Sequence, residues 1–95
     1  MPNYVMLGKW TDQGIRTVKD SPKRVETVKA IFEKAGGKMD LWYTMGDYDF
    51  VGVANLPSDE AYMQIALQLG ALGNVRTTTL KAWSVLEAAK VINKL

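Results

Sequence analysis

Tyr43-Thr44-Met45-Gly46-Asp47-Tyr48-Asp49-Phe50-Val51-Gly52-Val53-Ala54-Asn55-Leu56-Pro57 is the stretch from which the rest of the chain can be read. Gly46 and Asp47 predict a two-residue type II′ hairpin turn, because the positive φ of the first turn position costs glycine nothing. Before the turn, Met39, Leu41, Tyr43 and Met45 alternate with Asp40, Trp42 and Thr44. After it, Val51 and Val53 alternate with Phe50, Gly52 and Ala54. The period is two, yet neither face is cleanly polar, so the sheet is expected to have material packed on both sides.

Upstream of the hairpin, Tyr4 to Trp10 has the residues of a first strand. Thr11-Asp12 offers an N-cap. Ile15, Val18, Val25, Val28, Ile31 or Phe32, and Ala35 then recur at helical spacing. Asp20-Ser21-Pro22 interrupts that pattern and predicts two helices end to end, or one kinked helix, with Ser21 as N-cap and Pro22 at N1. Gly36-Gly37 stops it. Downstream, Ser58 caps a helix carrying Ala61, Ile65, Leu69 and Leu72 on one stripe. Its other faces are also unusually apolar. A β-branched fourth strand follows over 74–83, and Ser84-Val85-Leu86-Glu87 forms a capping box for a short C-terminal helix.

The order β-α-β-β-α-β predicts an α+β, ferredoxin-like split βαβ domain over residues 1–95. It would have a four-stranded antiparallel sheet, two helices on one face and an extra C-terminal helix. Trp10, Trp42, Tyr43, Tyr48, Phe50 and Trp83 fall in or beside strands. A helix-free face so aromatic would be a larger apolar patch than soluble monomers tolerate, so two sheets are expected to close face to face in a homodimer.

The chain is 95 residues with 47% apolar and 23% charged residues, an ordinary globular balance in which burial through oligomerisation helps. It contains neither cysteine nor histidine. That removes disulfides, thiolate nucleophiles, cysteine zinc sites, the usual general base and the Ser-His-Asp arrangement. No metal and no cofactor is expected. No segment is apolar enough to span a bilayer and the start lacks a secretory pattern, so a cytoplasmic location and no membrane partner are expected. The net charge is +2, but residues 9–38 hold eight bases against four acids. A solvated helix face explains this better than a nucleic-acid patch.

Gly46-Asp47-Tyr48-Asp49, Lys19-Asp20-Ser21-Pro22-Lys23-Arg24 and Leu69-Gly70-Ala71-Leu72-Gly73-Asn74-Val75-Arg76-Thr77 together resemble the GYD-domain family. The similarity runs from Tyr4 to about Trp83. It implies a dimeric α/β-barrel related to small ligand-binding proteins and cofactor-free enzymes, in a functionally uncharacterised family.

Two groups of residues could form a site. The helix restart at Ser21, with Lys19, Lys23 and Arg24 beside it and Arg76 converging from strand four, could hold a carboxylate or phosphate. Equally, Asp20, Glu26, Asp47 or Asp49 could pair with these bases and tie helix to sheet. Asp47 and Asp49 flank Tyr48 on one side of a strand, and a desolvated one could act as a general base. At a hairpin tip, bonding to local amides is the commoner role. A metal would need more oxygen ligands than this spacing supplies. Tyr43 or Tyr48 could direct a hydroxyl into an aromatic-lined cavity, with Gly8 and Gly52 marking where space is left open, unless close packing fills it. Three functions follow from these readings. The first is a homodimeric binder of a small anionic or aromatic metabolite. The second is a cofactor-independent isomerase or monooxygenase using Asp47, Asp49, Tyr43 or Tyr48. The third is a structural unit whose dimers build larger rings.

Overall fold

In the computed structural model, which describes residues 1–95, strand β1 (Asn3–Trp10) leads through a short helix α1 (Asp12–Arg16) and a 3-10 turn (Val18–Asp20) into α2 (Ser21–Lys34). Strands β2 (Lys38–Tyr43) and β3 (Phe50–Asn55), helix α3 (Asp59–Leu72), strand β4 (Val75–Ala82) and helix α4 (Val85–Ile92) follow. The sheet is antiparallel throughout with the order β2-β3-β1-β4, the expected ferredoxin-like arrangement.

The hairpin is centred on Gly46-Asp47, with Tyr43 facing Phe50 and the Thr44 amide donating to the Asp49 carbonyl. Residues 44–49 form a six-residue loop and not the expected two-residue turn, because the Thr44 hydroxyl donates to the Tyr48 carbonyl and the Asp49 amide to the Gly8 carbonyl. Gly46 takes φ +111°, the left-handed side that glycine adopts freely. Thr11 caps α1, Ser58 caps α3, and Ser84 with Glu87 completes a capping box on α4. Ser21 departs from expectation. The 3-10 turn runs directly into α2, so Ser21 already has helical angles and lies inside the helix, with Asp20 at the cap and Pro22 one position later than predicted. The Ser21 hydroxyl is thereby freed from capping.

One face of the sheet carries Tyr4, Met6, Met39, Phe50 and Ala54, closed over by Phe32 of α2, Tyr62, Ile65 and Leu69 of α3, and Leu56. Phe32 and Leu56 are fully buried. Burial of this apolar surface is what holds the helices to the sheet. The space above Gly8 is not open, because the Phe50 ring occupies the position a Cβ would take. Gly52 is likewise bounded by Met6 and Met39.

On the opposite face, register sets out four rows. Lys38, Asn55, Asn3 and Ala82 form one edge; Asp40, Val53, Val5 and Leu80 the next; Trp42, Val51, Leu7 and Thr78 the third; Lys9 and Arg76 the last. An apolar band of Val53, Val5, Leu80, Trp42, Val51 and Leu7 therefore lies between polar margins. The aromatic content of this face is lower than predicted. Trp10 and Phe50 pack on the helix side with Tyr43 beside them, Tyr48 sits in the hairpin loop, and Trp83 lies beyond the end of β4. Only Trp42 of the strand aromatics faces away from the helices. No helix is long and apolar enough to cross a membrane.

Candidate functional site

Between the start of α2, the helix-facing side of β1–β3 and the junction of α3 with β4 lies a cleft of about 80 Å³. Its walls are mostly apolar: Met6, Trp10, Met39, Leu41 and Phe50 from the sheet, Val25 and Val28 from α2, and Leu69, Leu72 and Val75 from the α3–β4 corner. Trp10 packs with Tyr43 and Phe50 at ring-centroid separations of 6.2 and 5.5 Å, giving one side an aromatic wall. By the usual measure a water needs roughly 10–15 Å³, so the cleft has room for several waters or one small molecule.

Besides the Trp10 indole, the polar groups in this cleft come from Ser21, Arg24, Tyr43 and Asn74. Ser21 Oγ and Tyr43 Oη lie 2.8 Å apart and share a proton in a hydrogen bond that ties α2 to the end of β2. Ser21 is buried while Tyr43 is half exposed, so the pair spans the cleft from interior to mouth. Arg24 Nη1 donates to the Thr17 carbonyl and to Thr17 Oγ1, both at 3.1 Å, which fixes the guanidinium against the turn before α2. Its Nη2 is shielded from solvent and has no hydrogen-bond partner. A buried, unpaired cationic donor is costly and calls for a partner. No carboxylate lines the cleft.

The predicted site residues therefore divide. Ser21, Arg24 and Tyr43 come together in the cleft. Lys19 and Lys23 are exposed and do not line it. The Ser21 amide is bonded to the Val18 carbonyl and Pro22 has none, so neither of the first two positions of α2 offers a free amide. Arg76 does not converge with Arg24. It sits on the helix-free face, donates to the Gly70 carbonyl at 3.2 Å, and borders a shallow basin with Lys9, Tyr48 and Thr78. Lys9 lies 5.4 Å from the centre of the Tyr48 ring, a cation–π contact. Asp49 plays a local structural part. Its carboxylate accepts from the Trp10 amide at 2.8 Å while its own amide donates to the Gly8 carbonyl at 2.8 Å, which fastens the hairpin to β1. Asp47 is exposed at the turn. None of the predicted acid–base partnerships (Asp20, Glu26, Asp47 or Asp49 with these bases) forms; the sole ion pair joins Lys81 to Asp59.

That ion pair belongs to a cluster with no signal in the sequence. Buried Tyr4 stacks on Tyr62 at 4.2 Å and donates to Asp59 Oδ1 at 2.5 Å, while Lys81 donates to Asp59 Oδ2 at 2.8 Å. Burial, helped by the neighbouring carboxylate, pushes the Tyr4 phenol up to about 12. The hydrogen bonds from Lys81 and then Tyr4 hold Asp59 below its ordinary value. Tyr4, Asp59 and Lys81 are far apart in sequence, and only strand pairing and the position of α3 bring them together. Trp10, Asn74 and Val75 reach the cleft for a similar reason, since Trp10 is paired with Val75 at the end of the β1–β4 ladder.

The GYD domain pattern matches residues 4–92. A Thermus thermophilus protein named glutamine synthetase and cystathionine beta-lyase binding protein is 30% identical over 89 residues, covering 92% of this chain and 94% of its own. Among solved structures, TTHA0845 from Thermus thermophilus superposes with a TM-score of 0.58 at 21% identity, covering 90% of this chain and 96% of that one. At3g17210 from Arabidopsis thaliana gives 0.54 at 12% identity, with coverages of 90% and 96%. These two likenesses concern the fold.

Proposed function

Because the chain belongs to the GYD-domain family, whose function is uncharacterised, we propose from its own geometry that it is a cytoplasmic, homodimeric binding domain for a small anionic or aromatic metabolite, held in the α2–sheet cleft. The observation that carries this is Arg24. An arginine anchored to Thr17 through Nη1, with Nη2 lacking a hydrogen-bond partner, in the same lining as a hydroxyl pair and an aromatic wall, is what an anion with an apolar body requires. Binding is favoured over proton-transfer chemistry because no carboxylate lines the cleft and Asp49 is already committed to the Trp10 amide. Dimerisation is supported by the apolar band on the helix-free face, which has the polar margins of an interface. A panel of acidic metabolites should include some that raise the melting temperature, and Arg24→Ala should remove the gain while Arg76→Ala keeps it. A complete panel without a shift would end the reading.

A second reading concerns α4. This helix leaves the end of β4 with Val85, Leu86, Val91 and Ile92 exposed, in a molecule extending 49 × 30 × 18 Å. Such a face suits a protein partner, and the Thermus relative is named for binding two enzymes. Titration with purified glutamine synthetase tests it: binding that Leu86→Lys abolishes supports this use of α4, and no binding removes it.

A further inference from the structure

Resting on the cleft being an anion site, we infer that its ligand class is narrower: a small monocarboxylic acid with an aromatic or branched aliphatic body, and neither a phosphate ester nor a polyacid. Charge arithmetic comes first. Arg24 is the one charged side chain in the lining, and two hydrogen bonds to Thr17 hold it in place. Lys19 and Lys23, the cations nearest in sequence, are directed to solvent. One guanidinium matches a single negative charge; a phosphate dianion would enter an apolar cleft with half its charge unmatched.

Donor geometry comes second. The Ser21–Tyr43 pair contains two hydroxyl protons and uses one in its own hydrogen bond, leaving one to offer. With Arg24 in the same lining, that hydroxyl adds a neutral donor beside the single cation, and Asn74 brings a side-chain amide whose Oδ1 already accepts from Gln13. The first two positions of α2 add no phosphate cradle, since the Ser21 amide is bonded within the 3-10 turn and Pro22 has none.

The walls come third. Beyond these polar atoms the ligand meets Trp10, Phe50, Val28 and Leu69, which leave carbon-bound hydroxyls or further charges without partners. A cleft of about 80 Å³, open at its mouth, takes a short branched chain or part of a ring whose remainder lies at the mouth, and excludes a nucleotide. Recognition therefore divides into one charge-assisted contact that sets orientation and an apolar remainder that supplies affinity.

Benzoate, benzamide and inorganic phosphate separate the possibilities when titrated into the full chain and followed by amide chemical shifts. Benzoate is expected to move resonances of Arg24, Tyr43 and Val75, with benzamide at least tenfold weaker and phosphate silent there. Arg24→Gln should weaken benzoate at least tenfold. Leu72→Trp, at the exposed mouth, should do the same without touching the guanidinium, which keeps the test valid if Arg24→Gln fails to fold. Phosphate shifting the cleft while benzoate does not would overturn the monocarboxylate class and leave the anion site standing. Benzamide equal to benzoate would overturn the role of charge. Silence from all three at millimolar concentration would overturn both the class and the site.

Discussion

Replacing Tyr43 with Phe removes one oxygen and leaves Ser21, 3% exposed, with a stranded hydroxyl. A buried polar group that loses its partner costs about 1–3 kcal/mol. The reverse change, Ser21→Ala, leaves the Tyr43 hydroxyl on a residue 52% exposed, where water replaces the lost bond. That variant loses only the net worth of one hydrogen bond, about 0.5–1.5 kcal/mol. It also gains part of this back, since alanine is favoured over serine in a helix by up to about 0.5 kcal/mol. Tyr43→Phe should therefore be the more damaging, by about 1 kcal/mol or more. At about 4–8 °C per kcal/mol for a domain of this size, a 2 kcal/mol loss lowers the melting temperature by roughly 8–16 °C. In the double variant no hydroxyl is stranded, so its stability should lie close to that of Ser21→Ala and above that of Tyr43→Phe. Urea denaturation at fixed protein concentration measures all four species. Additive losses within about 0.5 kcal/mol, or Ser21→Ala proving the costlier, would refute the assignment of this bond as the tie between α2 and β2.

Gly8→Ala should drive a methyl into the Phe50 ring, which also lines the cleft, and cost about 1–3 kcal/mol by overpacking in thermal melts. At high pH, Tyr4 is held protonated by the fold and its pKa rises from 10.0 to about 12. Its contribution is present below 10 and lost as pH climbs towards 12, so stability should fall over that window, and less steeply in Tyr4→Phe. Asp59 has the opposite sign: its lowered pKa stabilises above the unfolded value and the contribution disappears as pH falls through the folded one, an acid limb that Asp59→Asn should flatten. With the proposed dimer closing over the apolar band, the unmodified chain should sediment as two copies and Val53→Lys, in the centre of the band, as a folded monomer. A dimer that survives the change would move the interface elsewhere, and a monomeric unmodified chain would remove it. Ser84→Ala removes the capping box of α4 and should reduce far-ultraviolet helicity with little change in the core melt, because α4 makes little contact with the core.

Local chemistry determined most of the architecture. Glycine at the turn, β-branched runs in the strands, and Thr11, Ser58 and Ser84 at helix starts each act within a few residues, so the element order and the hairpin register were legible without any long-range information. Ser21 shows the limit: its neighbours fit a cap, but the 3-10 turn ahead of it extends the helix and leaves the hydroxyl to find Tyr43, 22 residues away. The cleft was half visible for the same reason. Ser21, Arg24 and Tyr43 could be suspected from their types, whereas their separation from Arg76 depends on which face of β4 it occupies, and the burial of Arg24 Nη2 depends on how α2 lies over the sheet. The Tyr4–Asp59–Lys81 cluster had no local trace at all. Sequence pattern acts over a turn or a strand pair, so it determines elements and their pairing. Only packing of helix on sheet decides which distant polar atoms meet, and which one is left buried without a partner.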